Sequence, residues 1–341
     1  MTLITVRAII VAHLECHVPD VFEKVFKNGQ SFLFHCTDTF VRHFLRTELN
    51  WSWRRMTRAA QKVPEDAERK CYEAALRIAW IIKEEDIPAA LFINSDQTGV
   101  VYAQGSNITW AQTNSKQVSV VGGEEKRAFT LVTSVCANGE LLPFQAVYKG
   151  KSTASLPDIG SVGMKESLTA GMVFSVSGTE THWSTHETMH EFVNKIISPF
   201  FEQKKKELGL PPEQKSLWYI DCWSVHRSKD FRDWMAANHK NIVLVFVPAN
   251  CTGMFQPCNV GIQRPLKLSL KRTAHEDIVK EILGHLDKEM TSPDGVLLSK
   301  SLPVLRNRST RWINEAFHAL NIPALVKQVH LMVYVFLLQF C

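Results

Sequence analysis

No stretch of this 341-residue chain comes near the roughly 18–20 uncharged apolar residues that a membrane-spanning helix needs. A channel is excluded, and no membrane partner is expected. Cysteine is scarce: eight residues, at 16, 36, 71, 136, 222, 251, 258 and 341, with no C-x-x-C among them. That excludes a disulfide scaffold and a clustered zinc site, and the thiols read as reduced groups of an intracellular protein. Gly122-Gly123 and the stretch from Gly160 to Gly163 lack the strand–helix setting of a nucleotide loop, so no nucleotide cofactor is expected. Internal repeats and low-complexity tracts are absent. A large excess of one charge is missing too, with 39 Lys+Arg against 34 Asp+Glu for a net +5. That permits a nucleic-acid partner without requiring one, because the placement of charge matters more than its sum.

What is present is a globular composition, 45% apolar and 21% charged, which excludes wholesale disorder. The length suits two domains, or one with an appendage. Near the start, Ala8-Ile-Ile-Val-Ala12 has no basic leader and no cleavage site, so no signal peptide is expected. The far end, His330 to Cys341, is apolar on all sides. It is too short to span a bilayer and reads as an ill-fitting tail, as from an altered reading frame.

Periodicity supplies the elements. Thr37 to Arg46 has the start signal and apolar stripe (Phe40, Val41, Phe44, Leu45) of a helix. Ser52 caps a second expected helix, Trp53 to Lys62, and the pair is compatible with a helix-turn-helix. On it Arg54, Arg58 and Lys62 share one face with Arg55 beside them; that face is either solvated or phosphate-contacting. Residues 65–88 form a charged amphipathic helix. Ala90 to Asn94 is a buried strand running into Ser95-Asp96. Arg127 to Tyr148 is a hairpin turning at Asn138-Gly139. Ser184 to Leu208 is a helix opened by a capping box. Leu217 to Ile220 is a strand running into Asp221, Phe231 to Asn238 a helix, Ile242 to Val247 a strand, and about Gly261 to Glu289 a long helix. The order predicts a mixed α/β domain with a central sheet.

Asp96 and Asp221 each leave an apolar strand at its C-terminal end, where open α/β sheets place their sites. Such carboxylates are costly unless bonded or metal-bound. Each alone reads as a cap; two in equivalent positions point to a shared divalent cation, with oxygen ligands that suit Mg²⁺. Two such ions activate water and stabilise the leaving oxygen in phosphodiester cleavage.

The segments NSDQTG (94–99), IDCWSVHRS (220–228) and VPANCTGMFQPCNVGIQRPLK (247–267) closely resemble three blocks of the DDE superfamily endonuclease domain of pogo/Tigger-like transposases. The resemblance runs from about Leu91 to Arg272, more weakly to Lys327. Residues 30–64 also resemble the trailing part of the centromere-protein-B-type DNA-binding region. The family implies a ribonuclease-H-like fold and three carboxylates holding two Mg²⁺ or Mn²⁺ for DNA strand cleavage and joining. Carried over, the first acid is Asp96 and the second Asp221. The third position, 38 residues on in a Gln-Pro-x-Asp-x-Gly motif, is Asn259.

Asn offers a carbonyl oxygen and no charge. Three carboxylates against two divalent ions leave a net +1, and the Asn leaves +2, which lowers metal affinity. Glu276 and Asp277 lie about 25 Å down the helix at 1.5 Å per residue and are no substitute. Lys149 and Lys151, after a strand expected to neighbour Asp96, read as phosphate contacts or as solvated strand-end charges. Arg264, Lys267, Lys271 and Arg272 form an acid-free run that reads as a DNA-facing stripe. His226 reads as a structural histidine, or as a proton carrier.

The expected organisation is therefore a partial helix-turn-helix-like remnant (1–64), a connecting helix (65–88), a ribonuclease-H-like α/β domain with flanking helices (89–290), and a helical C-terminal extension with the apolar tail (291–341). The expected protein is a nuclear, transposase-derived DNA-binding protein, possible as a homodimer, with Mg²⁺ or Mn²⁺ binding weak or lost. A weakly active endonuclease and a repurposed interaction protein that no longer touches DNA are the alternatives. The short front region argues against autonomous transposition.

Overall fold

The computed structural model describes residues 30–50, 64–102, 127–286 and 301–338, with residue 299 and scattered positions between 7 and 27. It divides into two units, Met1–Gln61 and Lys62–Cys341. The smaller unit pairs two short antiparallel strands, β1 (Val25–Lys27) and β2 (Gln30–Phe32), and carries helix α1 (Asp38–Thr47). Thr37 caps α1 by accepting a hydrogen bond from the Phe40 amide at 3.2 Å. Cys36 and Val41 are buried among Ile10, Val11, Phe34, Phe40 and Leu45. The helix expected at 53–62, with Arg54, Arg55, Arg58 and Lys62, lies outside the described residues.

The larger unit opens with α2 (Ala67–Glu84). Cys71, Ala74 and Ile78 recur at helical spacing and enter the main core. The sheet strands are β3 (Phe92–Val101), β4 (Ala128–Cys136), β5 (Gln145–Tyr148), β6 (Val173–Val176), β7 (Ser216–Ile220) and β8 (Ile242–Phe246), and the helix α3 (Met164–Thr169) precedes β6. The sheet order is β6-β5-β4-β3-β7-β8. β4 is antiparallel to β3 and β5, while β3, β7 and β8 are parallel, as are β5 and β6. This is the ribonuclease-H-like mixed sheet that the resemblance implies, with β6 added beyond β5.

Both faces are covered. Odd positions of β4 (Phe129, Leu131, Val135) join one apolar cluster and even positions (Val132, Cys136) the other, as the two-residue period of a strand requires. On the even side lie α2, α4 (His186–Phe192), α5 (Ser198–Glu207) and α6 (Lys229–Asn238), with the π turn Val193–Ile197 joining α4 to α5. On the odd side lie α7 (Gln263–Leu286), α8 (Leu302–Leu320) and α9 (Pro323–Leu338). The seven described cysteines are all free thiols. Among the described residues no helix is long and apolar enough to cross a membrane.

Three details differ from the sequence reading. The capping box of α4 uses Thr185 and Thr188 rather than Ser184 and Glu187. The strand expected to end at Asn94 continues to Val101, because β4 pairs with β3 from Ile93 to Val101. Asp96 thus sits mid-strand, although the parallel partner β7 pairs with β3 only as far as Asn94. At the hairpin tip Gly139 has φ +103°, and a side chain there would press on Lys327 and the Pro323 carbonyl of α9.

Candidate active site at the end of the parallel strands

The register Asn94↔Tyr219, carried two residues further, sets Asp96 beside Asp221. Their level is where the parallel strands β3 and β7 part. Asp96 points to the face that carries Asn94, by strand alternation. Asp221 directly follows β7, and the chain soon turns into the short helical turn Ser224–Arg227. From that turn the buried His226 sets its Nδ1 2.8 Å from Asp221 Oδ1. The Nδ1–H tautomer follows from this bond, and His226 Nε2 is buried without a partner. Behind the pair, Trp218 Nε1 donates to Ser95 Oγ at 2.8 Å, and Ser95 Oγ lies 2.6 Å from Ser134 Oγ.

Asp96 Oδ2 accepts a 3.0 Å hydrogen bond from Gln263 Nε2 at the start of α7. The Asp96 carboxyl is pushed up to about 6, first by burial and then by the Asp221 charge; the Gln263 bond, the Gln97 amide and the Lys267 cation oppose this. Two acids at one level repel, and only partial neutralisation is in place.

The Gln256-Pro-Cys-Asn259 segment is tied to β3 by buried bonds. Gln256 Nε2 donates to the Ser95 carbonyl at 3.0 Å, and the Cys258 amide to Asn94 Oδ1 at 2.8 Å. Asn94 Nδ2 in turn donates to the Tyr219 carbonyl at 3.0 Å, and the Tyr219 hydroxyl to the Phe255 carbonyl at 3.2 Å. Asn259 itself is the second residue of the π turn Cys258–Ile262 and is exposed. Its amide donates to the Gln256 carbonyl at 3.0 Å, and its side chain makes no hydrogen bond to either aspartate. Gly261 in the same turn has a packing role: a Cβ there would overlap the side chain of Val329 on α9.

The basic residues singled out in the sequence divide into two groups. Arg264, Lys267, Lys271 and Arg272 are exposed on α7, and Lys267 is close enough to Asp96 to act on its charge. Lys149 and Lys151 are not neighbours of Asp96. β4 lies between β5 and β3, and Tyr148 pairs with Phe129, which pairs with Val100. Lys149 is therefore two strands away and roughly 16 Å further along the strand direction at about 3.3 Å per residue. Both lysines face Glu180, at 3.3 and 3.4 Å. Glu276 and Asp277 are engaged by Arg311, at 3.0 and 2.7 Å, and are not substitutes for a missing acid.

Among the described residues no three His, Cys, Asp or Glu side chains converge as a metal site. Asp96 and Asp221 supply hard oxygens suited to one divalent cation. Gln263 Oε1, buried and without a partner, adds a neutral oxygen beside them. The donor set fits a single cation held by two charges. Sequence reasoning missed Asn94, Gln256 and Gln263. Asn94 is two residues before Asp96 on the same strand face, and Gln263 is one helical turn past Asn259; those two spacings were the available signals.

A profile of the family described as DDE superfamily endonuclease matches residues 125–321, more than half of the chain. No curated protein matches it. Among solved structures, the chain is similar to a pre-cleavage Mos1 transpososome at 9% identity over 86% of this chain and 70% of that one, with a TM-score of 0.42. It is similar to the Mos1 mariner paired end complex with Mn at 9% identity over 88% and 71%, with a TM-score of 0.42. For the catalytic domain of Mos1 mariner transposase the figures are 9% identity, 84% and 98% coverage, and a TM-score of 0.34.

Proposed function

The chain belongs to the DDE superfamily endonuclease family, and on that premise we propose that it is a transposase-derived, nuclear DNA-binding protein whose cleavage site is impaired. The observation that carries the reading is Asn259 at the position that the motif gives to the family's third acid, together with a pair of acids that no third carboxylate joins among the described residues. Asp96 and Asp221 are the residues that would hold Mg²⁺ or Mn²⁺. Such an ion, when bound, supplies charge for water activation and leaving-group stabilisation. With two carboxylates in place of three, its affinity falls several-fold to orders of magnitude.

The remaining residues suit binding rather than cleavage. Arg264, Lys267, Lys271 and Arg272 offer an exposed cationic stripe that starts beside Asp96, and a duplex lying along α7 would neutralise it through phosphate contacts. His226 orients Asp221, and Gln263 holds Asp96. The test has two arms. Duplex DNA binding measured across a salt series should weaken steeply as salt rises, and plasmid nicking in Mg²⁺ or Mn²⁺ should stay at background. Salt-independent binding, or nicking at the full rate of an intact DDE enzyme, sinks the reading.

A further inference from the structure

The central sheet ends at β6, and among the described residues no strand lies beyond it. The amides of Val173 and Ser177 donate to the carbonyls of Phe144, just before β5, and of Tyr148, at 3.0 and 2.9 Å. Alternate residues of a strand turn their backbone groups to the same side. Val173, Ser175 and Ser177 therefore face β5, and the amides and carbonyls of Phe174 and Val176 face outward. Among the described residues none bonds to these outward groups. Such a row is a template for one more strand, and natural edges are commonly blunted by charge or proline. β6, Val-Phe-Ser-Val, carries neither.

The edge opens into a cleft of about 520 Å³, and its two walls differ. On one side Ser175 turns to α4, where its hydroxyl donates to Glu191 Oε2 at 2.6 Å, and Glu187 stands on the same wall. On the other side Phe174 stacks on Tyr148, and Leu156 follows the 3₁₀ turn Thr153–Ser155; both pack on the apolar cluster that α7, α8 and α9 cover. Lys195, the cation among the described lining residues, is held by Glu191 at 2.6 Å. That leaves the Glu187 charge without a cation of the cleft against it. Its own backbone amide and the Thr185 hydroxyl hold the Glu187 carboxyl below the usual carboxylate range, so it is ionised at neutral pH.

We propose that the β6 edge is a docking site for an extended protein segment that alternates apolar and basic residues, taken up as an added strand. Backbone hydrogen bonds to Phe174 and Val176 hold the segment, its apolar side chains lie on the Phe174–Leu156 wall, and its basic ones meet Glu187. Charge complementarity selects the occupant, because an acidic segment of the same shape would face Glu187 and Glu191. The edge is three strands from β3, about 14 Å across the sheet at roughly 4.8 Å per strand. A segment bound there leaves the acidic pair uncovered.

The test is fluorescence anisotropy of a labelled, end-blocked peptide that alternates valine and lysine, titrated with the full chain in the absence of DNA. Saturable binding is expected, and a valine–glutamate peptide should bind at least about tenfold more weakly. Methylating the amides of one alternate set of the peptide should abolish binding, and methylating the other set should leave it within about twofold, since an added strand bonds along one edge. Val176→Pro removes an outward amide while keeping the ladder with β5, and should weaken binding roughly tenfold. Glu187→Gln should weaken it about threefold. Should Val176→Pro fail to fold, the methylated peptides and Glu187→Gln still decide. No binding by the unmodified chain, tolerance of both methylated peptides, or undiminished binding in both variants overturns the proposal. So does a dimer of the free chain that Val176→Pro dissociates, which would give the edge to a second copy. No DNA, metal ion or cleavage enters these measurements, so they succeed or fail apart from the salt-series and nicking tests.

Discussion

At Asp96 two effects compete, and burial beside Asp221 outweighs the Gln263 bond and the Lys267 charge. The folded-state value of about 6 lies above the ordinary 3.8, so the native state holds this proton more tightly than the unfolded chain. Stability from the site is therefore fully present below about pH 4 and is lost as pH rises through about 6. Asp96→Asn, which keeps an acceptor for Gln263, is expected to raise unfolding free energy by about 1–3 kcal/mol at pH 7.5 in metal-free urea titrations. The gain should vanish near pH 4; an equal gain at both pH values would contradict the assignment. Gly261 is a second residue with a physical reason for its identity. Gly261→Leu drives a side chain into Val329 and is expected to cost about 1–3 kcal/mol, as overpacking does, by the same titration.

Among the elements, β3 and the Gln256–Gln263 segment behave as one piece, joined through Asn94. Asn94→Ala removes the acceptor of the Cys258 amide and the donor to the Tyr219 carbonyl. Two buried groups each lose a hydrogen bond, for an expected cost of about 2–4 kcal/mol. Hydrogen exchange should quicken at residues 256–263 first; unchanged protection there would refute the tie. Much at this scale was legible beforehand. The Asn138-Gly139 turn, the apolar runs of β7 and β8 and the Thr37 cap all lie where local pattern put them. What local pattern misses is pairing. The polar run Ser95 to Thr98 follows the apolar stretch that local pattern reads as the whole strand, and the nine-residue ladder with β4 carries the strand on through it. Lys149 reads as a neighbour of Asp96 until β4 is placed between their strands. The edge strand β6, four residues long, carries too little pattern to be seen, and nothing in sequence alone distinguishes Gln263 from Asn259 as the side chain that reaches Asp96.

For the whole molecule, the useful charge is local. The net +5 predicts little, whereas the α7 stripe sits next to the acids. Lys267→Glu with Lys271→Glu should weaken duplex binding alike for all sequences and lower the slope of log affinity against log salt by about 2. An unchanged slope would move the DNA surface elsewhere. Helix α9 has a different reach. Its first turn sits under the hairpin tip at Gly139, and Val329 sits under Gly261. The segment carrying Gln263 is thus braced by residues more than sixty positions later in the chain. Loss of α9 would therefore remove the contact beneath Gly261 and the one beneath the hairpin tip together, so damage late in the chain reaches a segment that its own sequence neighbours do not brace.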